Sequence, residues 1–112
     1  MQAQVNIEAG VCGFRTEALV TSSDSQFVTF TVKTDCEKIG RLGAALNEKG
    51  AIDAYQEISP AAESVVMGMA RTTLRGCCAG CVVPVGLFKA MQVAAGLALP
   101  RDIAIHLAKQ EL

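Results

Sequence analysis

The chain has no tryptophan, one tyrosine and four phenylalanines, so aromatics are only 4% of its 112 residues. A core without them must be aliphatic, built from Val, Ile, Leu, Ala and Met. Apolar residues at 51% are enough to build one and exclude a disordered chain. A charge excess is missing too: ten Lys and Arg stand against eleven Asp and Glu, a net charge of −1. There is no basic run interleaved with aromatics, so nothing points to nucleic acid. The opening stretch MQAQVNIEAG has no cationic start and no apolar run of the kind that directs secretion. The longest apolar stretch, 81–99, is broken by Pro84, Lys89 and Gln92 and reads as a buried helix, not a membrane span. Carboxylates at a spacing suited to paired acid–base work are absent, and no catalytic residue is assigned. These absences predict one cytoplasmic domain over residues 1–112.

What is present is an alternation of strand and helix signals. Val5 and Ile7 alternate with polar neighbours as a first strand, and Thr16, Ala18 and Val20 as a second. After the turn residues TSSDSQ, FVTFTVK is β-branched or aromatic almost throughout. It puts Val28, Phe30 and Val32 on one face and should pair with the second strand as an antiparallel hairpin. Asp35 is placed to cap a helix carrying Ile39, Leu42 and Leu46, which Gly50 ends. AIDAYQEIS fits a loop or a short strand. Ser59-Pro60 is expected to open a second helix with a stripe of Ala62, Val65, Val66, Met69, Ala70, Thr73 and Leu74, stopped by Gly76. Pro84 opens a third, with Leu87, Phe88, Met91, Ala94, Ala95 and Ala98 inward, ended by Pro100. Alternating Ile103, Ile105 and Leu107 predict a closing strand. The expected fold is α+β, with three helices on one face of a mostly antiparallel sheet of three to four strands, in the order β-β-β-α-α-α-β.

The five cysteines are the chemically distinctive feature, and five is an odd number for a closed disulfide framework. In a reducing compartment clustered thiols point to metal or redox chemistry. Each lies at a boundary between elements. Cys12 stands in a Gly-flanked loop between strands, Cys36 at a helix start, and Cys77, Cys78 and Cys81 between a helix end and a helix start. Exposed backbone N–H groups at such places stabilise thiolates, and thiolates hold zinc and iron–sulfur clusters. Cys78-Ala79-Gly80-Cys81 is a C-x-x-C, but no second pair matches it, so a site would need Cys12 and Cys36 to converge on it by folding. A free cysteine is also a small apolar residue that packs well in a core. His106, the only histidine, alternates with Ile105 and Leu107 and reads as a sheet residue, not a ligand. Lys89 and Arg71 read as solvated charges.

The order of these elements resembles the U-type iron–sulfur cluster scaffolds. Cys12-Gly13 precedes a hairpin, Cys36 in TDCEKI starts the next helix, and Cys77, Cys78 or Cys81 precedes a later one. The resemblance covers residues 5 to 98 and implies a scaffold-like fold and a cluster carried on three cysteines. The segments CGF, DC and VP…KA…VAAGLALP are similar to those of a family of short cysteine-containing proteins of anaerobic microbes whose activity is not established. The leading expectation is a metal site, iron–sulfur cluster or zinc, on Cys12, Cys36, Cys78 and Cys81, with Cys77 as a spare thiol, in a carrier or scaffold with no turnover chemistry. The alternatives are a thiol redox or persulfide relay using Cys78 and Cys81, and an interaction domain with inert cysteines that pairs as a homodimer.

Overall fold

The computed structural model describes residues 1–112. Alternation builds its sheet as expected. Strands β1 (Gln2–Glu8), β2 (Arg15–Thr21) and β3 (Phe27–Thr34) form an antiparallel meander. Their inward residues are Ala3, Val5 and Ile7, then Thr16, Ala18 and Val20, then Val28, Phe30 and Val32. Because the side-chain period is two, one register sends all of these to the same face. Asp24 fixes the β2–β3 turn by accepting from the N–H of Phe27 (2.9 Å) and of Gln26 (3.0 Å). Those bonds, Phe27's first, hold its carboxyl below the usual carboxylate value.

Helix α1 (Glu37–Lys49) packs on β3 through Ile39, Leu42, Gly43 and Leu46 and ends at Gly50, whose φ is 77°. Asp35 is not its cap. The helix begins beyond Cys36, and Asp35 is exposed. AIDAYQEIS resolves into strand β4 (Ile52–Asp53), paired antiparallel to the start of β3, and helix α2 (Ala54–Glu57). Asp53 caps α2, accepting from the N–H groups of Tyr55 and Gln56. The four strands lie in the order β1-β2-β3-β4.

The second long helix does not open at Ser59-Pro60. Helix α3 (Val65–Thr73) starts later because its exposed N–H groups find their partners only there, in Ser64 and the Glu57 carboxylate. Val66, Ala70 and Leu74 are its buried stripe. Helix α4 (Val83–Ala94) packs on β1 and β2. It ends before Pro100, because Gly96 (φ 76°) closes a Schellman motif. There the N–H of Leu97 reaches Gln92 O (2.7 Å) and that of Gly96 reaches Val93 O (3.0 Å). Ala98 therefore lies outside the helix. The closing strand is not formed: residues 95–112 have no regular structure, and His106 is exposed. The fold is α+β, a four-stranded antiparallel sheet with four α-helices where three were expected. The run Gly76–Ala94 is long and apolar enough by composition to cross a membrane. Here it is divided between a turn and α4, and α4 buries Val83, Leu87, Ala90, Met91 and Ala94.

Two glycines set how closely the helices approach the sheet. A Cβ at Gly43 would stand 2.7 Å from Val32 Cβ, an atom fixed to the backbone. A Cβ at Gly86 would meet Ile7, nearest at Cδ1 (2.5 Å), the free end of a flexible side chain. Alanine raises helix propensity at either site by about 1 kcal/mol, whereas overpacking costs about 1–3 kcal/mol. Gly43→Ala should therefore destabilise the protein in urea denaturation, and Gly86→Ala should cost distinctly less. Equal losses would mean that the β3 backbone yields as easily as the Ile7 side chain.

Candidate functional site

Three connections between elements supply the thiols. The β1–β2 loop turns between Gly10 and Gly13, both at positive φ, with the Gly13 N–H bonded to Gly10 O at 2.9 Å. Val11 and Cys12 occupy the tip of that turn and are exposed. Only glycine tolerates these φ values cheaply, which is why the CG step sits here.

Cys36 is the N-cap residue of α1, with extended backbone and no side-chain cap bond. Its N–H donates to Thr34 Oγ1 (3.2 Å). Thr34 Oγ1 also lies 2.8 Å from Thr16 Oγ1 and donates to Arg15 O (3.2 Å). The hydroxyl chain ties the base of α1 to β2 and β3, so the position of Cys36 is set by the sheet. Its half-buried sulfur is left without a capping role.

A 3-10 turn over Gly76–Gly80 carries Cys77 and Cys78, and Cys81 follows at its end. The Cys78 N–H bonds to Arg75 O (3.3 Å) and the Cys81 N–H to Cys78 O (3.1 Å). Cys78 and Cys81 pack partly against the core, as Cys36 does, whereas Cys77 is exposed. Lys38, in the first turn of α1, reaches across with Nζ 3.5 Å from Cys78 Sγ.

Cys81 is partly buried, and its thiol responds to that burial and to charges around it. Burial pushes its thiol above the ordinary value, and a bond from the Val83 N–H partly offsets this. The charges of Cys12, Cys36 and Cys78, when ionised, raise it further. Cys12 and Cys36, distant in sequence, thus join the neighbouring Cys78 among the charges that act on Cys81, and Cys77 is not among them. As the side chains stand, no three His, Cys, Asp or Glu groups are close enough to hold a single metal ion. All five cysteines are free thiols.

Sequence reasoning found the cysteines but not the residues that place them. Thr34 had a local signal, a hydroxyl two residues before a helix cap, where such side chains commonly accept a backbone bond. Lys38 had none, since its partner is 40 residues away. Neither the curated proteins nor the solved structures include a match to this chain. A family model described as "Family of unknown function (DUF6951)" matches residues 3–107, with all of the sheet but Gln2, all four helices and every cysteine included, and the chain belongs to that family.

Proposed function

We propose that this protein binds an iron–sulfur cluster, or failing that a soft metal ion, on Cys12, Cys36, Cys78 and Cys81, and carries it without turnover chemistry. The observation that supports this is the action of Cys12, Cys36 and Cys78 on Cys81. These four cysteines come from three separate connections of the fold: the β1–β2 loop, the start of α1 and the turn before α4.

The donor set is all sulfur, which suits zinc, copper(I) and iron–sulfur clusters over calcium or magnesium. Its spacing favours the larger group. A tetrahedral ion with bonds of about 2.3 Å needs its sulfurs within roughly 4 Å of one another, and no three of these groups stand ready to hold one. A cluster interposes its own irons and sulfides and accepts a wider set of thiolates. Lys38 beside Cys78 offsets part of the negative charge that several thiolates bring together. Cys12, on an exposed loop tip, is the donor free to move when the group enters or leaves, as a carrier requires. Five unpaired thiols suit a reducing compartment, the cytoplasm. The U-type scaffold resemblance is part of this proposal, since it places the same cysteines in the same role.

Protein purified without oxygen should contain iron and acid-labile sulfide in a fixed ratio to chain, with charge-transfer absorption in the visible. Stoichiometric zinc without sulfide would keep the thiol site and discard the cluster. Metal-free protein that takes up neither iron with sulfide nor zinc would end the proposal.

A further inference from the structure

The last segment of the chain supports an inference that does not depend on the thiols. Beyond the Gly96 stop, every residue from Leu99 to Leu112 is exposed. The single backbone hydrogen bond made there runs from the Arg101 N–H to Leu99 O. Yet this is strand sequence. Ile103, Ile105 and Leu107, which are 48%, 61% and 93% exposed, alternate with Asp102, Ala104, His106 and Ala108. Unpaired backbone and aligned apolar side chains are both satisfied by joining a sheet. The family match runs to residue 107, so the alternating stretch belongs to the shared unit.

The sheet offers one place of matching length. β1 is an edge strand of seven residues, paired only with β2. Its sequence QAQVNIE contains neither proline nor lysine, and its single charge, Glu8, stands at its end beside Arg15. Its inward residues Ala3, Val5 and Ile7 present an apolar face that a neighbouring strand with Ile103, Ile105 and Leu107 turned inward would continue.

We propose that residues 102–107 form a strand between two copies of this chain, each copy's segment pairing with β1 of the other. The route of the chain argues for exchange over self-pairing. A Cβ at Gly86 would contact Ile7 and one at Gly96 would lie 3.8 Å from Met1 Cε, so α4 runs antiparallel to β1 and releases the chain at the start of β1. A return along its own β1 would have to reverse within a few residues around Pro100 and run parallel. Pairing with a second copy requires no reversal and allows the antiparallel ladder, which is slightly more stable per residue. The molecule measures 48 × 27 × 27 Å, as expected of a globule with a projecting arm. A two-fold dimer makes the contact twice.

The test uses the full chain, in sedimentation equilibrium and backbone hydrogen exchange, beside the double variant I103D/I105D. Both substituted residues lie outside the core, so the variant keeps its fold. The expected result is a dimer whose 102–107 and β1 amides are protected. In the variant the dimer should weaken by roughly a hundredfold or more, because two carboxylates must be buried at each contact, and both sets of amides should lose protection. A monomer at all concentrations overturns the proposal, whether or not the segment is protected. So does a dimer whose 102–107 amides exchange freely, or one that the two substitutions leave intact.

Discussion

Glu57→Ala should destabilise the protein by about 3 kcal/mol, a fall in melting temperature of roughly 10–20 °C for a domain of this size. Glu57 is buried, with 5% of its surface exposed. Its Oε1 accepts from Ser64 Oγ (2.8 Å) and the Val66 N–H (2.8 Å), and its Oε2 from the Val65 N–H (2.7 Å). Ser64 in turn accepts from the Met67 N–H (3.0 Å). Between them the two residues satisfy the first-turn N–H groups of α3 that a helix leaves without partners, and the carboxylate also lies at the positive end of the helix dipole. Alanine would leave two backbone donors without acceptors and open a gap where the side chain was. Glu57→Gln keeps the shape and one acceptor oxygen, so it should lose about half as much. Denaturant titration at unchanged slope would measure both. A loss below about 1 kcal/mol for the alanine variant would mean that water reaches these amides once the carboxylate is gone.

Such a carboxylate is invisible to periodicity, and it accounts for one expectation the structure corrects. Ser59-Pro60 carries the usual signature of a helix start, and Ser59 Oγ accepts the Ala61 N–H (3.2 Å), but that single bond holds only a turn, whereas Ser64 together with Glu57 serves three first-turn amides of α3. The partner comes from the preceding short helix, so the boundary is set by a tertiary contact. Val28, Phe30, Ile39, Leu42, Leu46, Val66 and Ala70 were legible because each repeats at the period of its own element. The closing strand expected at Ile103, Ile105 and Leu107 is not formed, because a strand forms only against a neighbour and this segment has none within the chain. The same limit applies to the thiols. Loop and helix-end positions could be read for Cys12, Cys36, Cys78 and Cys81, while their approach depends on a meander, a Thr16–Thr34 hydroxyl chain and the placement of α4, none of which is local.

The thiols should show opposite pH dependences with and without a bound group. Burial raises the Cys81 thiol above its ordinary value, so the folded protein holds that proton more tightly than the unfolded chain does. The resulting stability is fully present below the unfolded thiol value and is lost as the pH rises through the higher folded one. Metal-free protein should therefore lose stability through the alkaline thiol range, and Cys81→Ala should flatten that decline. Binding runs the other way. Thiols must ionise to become ligands, so affinity for zinc, or for a reconstituted cluster, should strengthen as the pH rises, by up to one logarithmic unit per pH unit for each proton displaced. Cys36→Ser, Cys78→Ser and Cys81→Ser should each weaken binding by roughly a hundredfold or more, since a hydroxyl does not ionise in this range. Cys77→Ser should leave binding unchanged, because Cys77 is exposed and is not among the thiols that act on Cys81. Metal titrations from pH 6 to 9, beside thermal melts of the metal-free protein, check both slopes. If Cys77→Ser costs as much as Cys78→Ser, the turn presents the other sulfur when loaded. If none of the serine variants changes binding, Cys36, Cys78 and Cys81 are packing residues.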